Sequence, residues 1–163
     1  MISIIVAFDE DRCIAKGGNI PWHISEDFKH FKKSTLGCPV VMGRKTWDSL
    51  PSKPLLNRTN IVISRNSSYT GLAFIATSVK DALQVAEREA PGKEVWVIGG
   101  EQVYKEALTS GMVDRIVASH INGRFGGDQF FPELPGWNRR LVQTFKWFEV
   151  YEYTPGGSHE SSS

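Results

Sequence analysis

Apolar residues fall along this chain in short runs, and the stretches between most of them carry the spacing of helices. The runs Ile2 to Phe8, Pro39 to Met42, Asn60 to Ser64 and Val95 to Ile98 lack the polar alternation of a half-exposed strand. That pattern predicts strands covered on both faces, as in a largely parallel sheet. Helices are predicted over Ser25 to Leu36, Arg44 to Leu50, Ser78 to Glu89 and Glu101 to Thr109. The third opens with a Ser-x-x-Asp cap and the fourth ends near Gly111. Arg115 to Ile121 adds a strand, and the Val, Phe, Trp and Tyr content of Leu141 to Tyr153 predicts a closing antiparallel pair. The alternation makes this an α/β fold, with one doubly wound domain over residues 1–153. A central, mostly parallel sheet would end in an antiparallel C-terminal strand, with helices on both faces.

One acid breaks the pattern. In the helix from Ser25, the positions Ile24, Phe28, Phe31 and Thr35 have the spacing of a buried face, with Lys29, Lys32 and Lys33 opposite. Asp27 falls on the inward side. A carboxylate taken out of water without a partner costs several kcal/mol or gives up its charge. No Arg or Lys shares its stripe, which leaves two accounts. The first helical turn favours an anion through its dipole and free amides; alternatively, a bound heterocycle with two adjacent N–H donors would satisfy both oxygens in one planar contact.

The stretch Asp9 to His23 is long for a loop and holds Gly17, Gly18, Asn19 and Pro21. It reads as a lid or an insertion, and its place just after the first strand favours a lid. Thr154 to Ser163 has nothing to bury and is expected to be a disordered tail.

The 163 residues, 40% apolar and 23% charged, suffice for one core without covalent staples. A formal charge of +1 gives no overall field for nucleic acid or an anionic membrane, so anion binding must come from local groups. No apolar run approaches membrane-spanning length, and the N-terminus lacks a signal peptide's basic start. Cys13 and Cys38 are too few for a disulfide framework and lack metal-ligand spacing, so reduced thiols in a cytoplasmic chain without a metal are expected.

Local cations do occur where a parallel sheet presents its carboxyl edge. Gly43-Arg44-Lys45-Thr46 follows one strand and opens a helix, reading as half of a pyrophosphate clamp or as a plain basic turn. Ser64-Arg65 ends the next run and should emerge beside Arg44. Two arginines and a serine suit an extra phosphate on a ribose, favouring NADP over NAD. Val95 to Tyr104 gives a third strand-turn-helix with Gly99-Gly100 at the turn, which is not Gly-x-Gly-x-x-Gly, so a plain Rossmann dehydrogenase fits poorly.

These motifs, in this order, resemble the dihydrofolate reductase family. The resemblance runs from Met1 to about Glu152. It rests on Ile14 to Asp27 with Pro21-Trp22, on Val40 to Trp47, and on Asn57-Arg58 before Asn60 to Arg65. Ile98-Gly99-Gly100 with Tyr104, and Gly127-Asp128 with Phe131-Pro132, complete it. It implies a cytoplasmic monomer reducing 7,8-dihydrofolate with NADPH, hydride passing from nicotinamide C4 to pterin C6. By residue match, Asp27 would hold the pterin 2-amino group and N3, with Ser119 bonded to it. Ile5, Phe28, Phe31, Leu50, Leu55 and Ile98 would wall the folate pocket, and Arg58 would take the glutamate tail's carboxylate. Trp22 would sit at the lid base near ordered water and Tyr104 near the hydride path. Ala7 and Ile14 resemble nicotinamide contacts; Gly43, Arg44, Lys45, Thr46, Ser64 and Arg65 resemble adenosine and phosphate contacts. Gly99, Gly100, Glu101, Gln102 and Val103 resemble a pyrophosphate turn, whose Gly-Gly peptide is cis in the family. The loop matching Gly126 to Asp128 would support the closed lid.

The chain departs from the family pattern at three places. Asn57 stands where glycine is common, and asparagine tolerates the left-handed backbone such a site needs. Ala15 replaces a frequent lid glycine, and the final hairpin is abbreviated. Two rival readings are an NADPH-dependent pyrimidine reductase of riboflavin biosynthesis and a nucleotide-binding module without catalysis. Neither has need of Asp27 beneath a lid.

Overall fold

The apolar run at the N-terminus becomes the strand about which the sheet is built. The computed structural model describes residues 1–65 and 71–156. In chain order the elements are β1 (Ile2–Phe8), β2 (Cys13–Ala15), α1 (Ser25–Thr35), β3 (Pro39–Gly43), α2 (Arg44–Ser49), β4 (Thr59–Ile63) and β5 (Phe74–Ala76). There follow α3 (Val79–Glu89), β6 (Val95–Val97), α4 (Glu101–Thr109), β7 (Arg115–Ile121), β8 (Gln129–Phe130), β9 (Trp137–Thr144) and β10 (Phe148–Pro155).

Eight strands form one sheet in the order β5-β4-β3-β6-β1-β7-β10-β9. From β5 to β7 every pairing is parallel, and β10 joins antiparallel to β7 and β9. Apolar side chains cover both faces, because β1, β3, β4 and β6 carry them on both sides of the pleat. On one face α3 and α4 bury Ala82, Ala86, Val103 and Ala107 against Ile4, Val6 and Ile116. On the other, Trp47 of α2 and Phe31 of α1 pack with Ile5, Val40 and Val62. The Ser78 hydroxyl accepts the Asp81 N–H at 3.0 Å, capping α3 as its sequence predicts. Among the described residues no helix is long and apolar enough to cross a membrane.

Three elements escape the sequence reading: β2, β5 and β8, of two or three residues each, too short to carry a period. The stretch after β1 is therefore not a bare loop, since β2 pairs with β8 and an isolated bridge joins Lys16 to Asn19. The closing pair starts earlier than predicted, at Trp137, because β9 is an edge strand whose Asn138, Arg139 and Arg140 face water and hide the strand pattern. Its partner runs past the expected boundary at Tyr153. Thr154 and Pro155 lie opposite Asn138 and Trp137, so the tail cannot begin at Thr154. The remainder of the expected tail, 157–163, lies outside the described residues. Phe28 also departs from expectation. At about 100° per residue the inward direction set by Asp27, Phe31 and Thr35 leaves Phe28 at its margin, and it is 47% exposed.

Candidate active site

Parallel strands deliver their carboxyl ends to one edge, and there the chain places most of its predicted site residues. Gly43 follows Met42 at the end of β3 and lies opposite Ile63, so Arg44 and Ser64 begin side by side on adjacent strands. Arg44, Lys45 and Arg65 are exposed, whereas Ser64 is buried. The next strand along, β6, runs into Ile98, Gly99 and Gly100, and the Gly99–Gly100 peptide is cis. The Gly43 N–H donates to the Gly99 carbonyl at 2.8 Å, joining the two turns.

The room for a side chain at this junction is tight at Gly43 and ordinary at Gly100. A methyl group on Gly43 would lie 3.0 Å from Val103 Cγ2, and one on Gly100 would meet Thr46 Oγ1 at 3.5 Å and Gln129 Oε1 at 3.7 Å. Thr46, Gly99, Gly100 and Val103 thus form one cradle with the N-terminus of α4 opening toward it. Glu101 pairs with Lys105 at 3.4 Å and Gln102 is exposed. Gln129, which the sequence reading missed, is carried to the cradle by the short strand β8.

On the far side of β1 from this junction stands Asp27. It lies in the first turn of α1, is only 9% exposed, and forms no ion pair among the described residues. Burial raises its pKa; the Ser119 hydroxyl and the Trp22 indole beside it pull the other way without cancelling the effect. The Trp22 indole N–H is itself buried and, among the described residues, outside strict hydrogen-bond geometry with any acceptor. Ser119 sits opposite Ala7 in the β1–β7 register. The dipole account supplies Asp27 no hydrogen-bond partner, since among the described residues no first-turn amide donates to its carboxylate.

The Tyr104 hydroxyl donates to the Ile5 carbonyl at 2.9 Å and packs under Gly99. Burial and the charge of Asp27 both raise its pKa, so it stays a neutral donor. Ile5, Phe31, Leu50, Leu55 and Ile98 gather in one apolar cluster, whereas Phe28 is exposed and lies outside it. Arg58 follows Asn57, whose φ of 60° is the left-handed geometry expected there. The guanidinium donates to the Leu56 carbonyl at 2.9 Å and to Thr35 Oγ1 at 3.2 Å. It also lines a cavity of 290 Å³ with Pro54, Asn60 and Phe74.

The lid folds over this edge from β1. Ile14 is buried in β2 and Ala7 half-buried in β1. Asp128 fastens the lid twice, its amide donating to the Ala15 carbonyl at 2.9 Å and its carboxylate accepting the Gly17 N–H at 3.1 Å.

A family model described as dihydrofolate reductase matches residues 1–149. A dihydrofolate reductase of Neisseria gonorrhoeae is 46% identical over 134 residues, spanning 82% of this chain and 80% of that protein. One from Bacillus subtilis is 38% identical over 146 residues, spanning 88% and 83%. Among solved structures, a dihydrofolate reductase from Enterococcus faecalis complexed with NADP(H) and RAB-propyl superposes with a TM-score of 0.82 at 30% identity, covering 96% of this chain and 97% of that one.

Proposed function

The chain belongs to the dihydrofolate reductase family, and from that premise we propose that it reduces 7,8-dihydrofolate to 5,6,7,8-tetrahydrofolate with NADPH, as a monomer in the cytoplasm. The observation that carries the reading is Asp27, a buried carboxylate without a cation, flanked by Ser119 and Trp22 at the edge where the lid closes. A pterin's 2-amino and N3 hydrogens satisfy both its oxygens. Ile5, Phe31, Leu50, Leu55 and Ile98 hold the flat ring, Phe28 shields the mouth, and Arg58 receives the tail carboxylate.

The second site fits NADPH by its shape: the Gly43 and Gly99–Gly100 turns, joined by the Gly43 N–H bond to the Gly99 carbonyl, leave bare backbone to meet phosphates, and a methyl group on Gly43 would press against Val103. Thr46 and the turn from Gly99 through Glu101, Gln102 and Val103 would hold the pyrophosphate, with Arg44, Lys45, Ser64 and Arg65 for the adenosine phosphate. Ala7, Ile14 and Tyr104 would border the nicotinamide. When bound, NADPH supplies the hydride that reaches C6. The protein's share is to hold the pterin ring in line, exclude bulk water with the lid, and favour a protonated substrate. Asp27, gripping N3, lies too far from N5 to hand over a proton, so it polarises the ring while a water admitted past Trp22 and the lid protonates N5.

An absorbance assay following NADPH loss tests this directly. Dihydrofolate should be consumed and a ribosylaminopyrimidine should not; the reverse preference would overturn the reading. Asp27→Asn should lower turnover about 100-fold at neutral pH and keep part of it in acid, where substrate arrives already protonated. A nucleotide-binding module would lose nothing by the same change.

A further inference from the structure

Asp9 follows β1 at the root of the lid and is only 3% exposed. Its carboxylate accepts three backbone N–H groups. One oxygen takes those of Asp11 at 2.8 Å and Cys13 at 3.0 Å, both in the lid root. The other takes that of Phe125 at 2.8 Å, in the loop that leads from β7 to β8. The Glu10 amide donates to the Gly123 carbonyl at 3.0 Å, and the Gly123 amide to the Glu10 carboxylate at 2.7 Å, so the two segments are laced together around Asp9.

Phe125 does not end the chain of contacts. Its ring meets the Trp22 ring edge-on, with centroids 5.3 Å apart and planes at 62°. Trp22 is 3% exposed, and its buried indole N–H stands beside Asp27. We propose that Asp9 is a positioning residue for the reductase reaction, tying the lid root to the loop before β8 and, through Phe125, setting Trp22 against Asp27. The proposal rests on the functional reading above. It adds a fastening at the lid's root to those that Asp128 and the β2–β8 pairing make farther out.

A carboxylate suits this place because it accepts on both sides. An asparagine of the same shape cannot: with its oxygen kept toward Asp11 and Cys13, its amide nitrogen faces the Phe125 N–H, donor against donor. Asp9→Asn therefore loosens the link to Phe125 while leaving the lid-root turn its acceptor.

Three variants test this: Asp9→Asn, Phe125→Leu and the pair together. In the free protein, the indole ¹H–¹⁵N signal of Trp22, identified by its loss in Trp22→Phe, should move in Asp9→Asn. In single-turnover assays each single change should slow hydride transfer about tenfold, as a small misplacement of the site does. The double variant should be within about twofold of the slower single one, because both changes cut one line of contact. An unmoved indole signal, or single effects that multiply, overturns the proposal. If Asp9→Asn fails to fold, Asp9→Ser decides it, since its hydroxyl can still accept from the lid-root turn but is too short to reach the Phe125 N–H as well, and an unmoved Trp22 signal there overturns the proposal equally. Wild-type protein that leaves dihydrofolate untouched would sink the functional reading instead, while the indole signal would still report on the link.

Discussion

Asp27 is placed where the free protein gains nothing from it. Its folded pKa lies above the unfolded value because burial penalises the charge more than Ser119 and Trp22 favour it. By linkage, the stability it contributes is present below the unfolded carboxyl value and is lost as pH rises through the raised folded value. Asp27→Asn should therefore raise the melting temperature of the free protein at pH 7, with the gain shrinking toward pH 4, in the same variant that loses turnover. Thermal melts over that range check it, and a lower melting temperature at pH 7 would show that Ser119 and Trp22 favour the charge more than burial penalises it. Of the residues around it, Asp27 was legible from spacing alone, since an acid on an apolar stripe is a local anomaly. Ser119 and Tyr104 were not. Their meaning depends on the parallel register of β1 with β7 and on a hydrogen bond from Tyr104 to Ile5 across 99 positions, and these are tertiary facts. Resemblance, rather than pattern, supplied them.

At the scale of elements, the helices and long strands were legible because eleven-residue helices and seven-residue strands repeat their period several times. The two-residue and three-residue strands that order the lid have no period to read, and β2 and β8 exist only by pairing with each other. Their packing is close at one point. A methyl group on Gly127 would lie 1.8 Å from Cys13 Sγ and 2.4 Å from the Ala15 carbonyl, so no rotamer of the cysteine alone relieves it. Gly127→Ala should force the β8 loop off β2, costing about 1–3 kcal/mol and slowing turnover, and Cys13→Ala should not rescue it because the Ala15 carbonyl remains. Full rescue would mean that the sulfur is the whole obstacle. Asp128→Ala is the contrasting case, since its carboxylate contact to Gly17 is exposed. It should change stability by no more than about 0.5 kcal/mol while turnover falls, and equal rates in the two proteins would remove Asp128 from lid closure.

Across the whole molecule, charge is arranged so that acid attacks the fold and the site in different ways. His120 of β7 lies among rings from β1 and β10, 4.9 Å from Phe8, 4.4 Å from Tyr151 and 5.9 Å from Tyr153 between centroids, with the Tyr153 hydroxyl 3.0 Å from its Nε2. Arg12 from the lid root stacks on Phe8 and Arg139 from β9 stacks on Tyr151, while Glu149 lies opposite His120 in the register. Burial first, then Arg139 and Arg12, pushes the imidazole from 6.5 down to about 4. The unfolded chain thus takes up a proton before the folded one, so stability is full above pH 6.5 and drains away as pH falls toward 4. Glu152 acts in a lower window. Arg140 and Arg115 hold its pKa below the ordinary 4.5, so its contribution is lost only as pH falls further. Asp27 runs opposite to both, gaining the fold stability as it protonates, which separates the groups experimentally. In His120→Gln, where the side chain can still bond to Tyr153, the fall of the denaturation midpoint from pH 6.5 to 4 should be smaller than in the wild type, what remains coming from His30, whose pKa burial and Lys33 also lower, against the opposing gain from Asp27. Asp27→Asn should steepen the wild-type decline over the same interval, because it removes the one group that offsets it. A decline unchanged in His120→Gln would assign acid sensitivity to His30 and the carboxylates and leave the aromatic cluster a packing feature without a titrating centre.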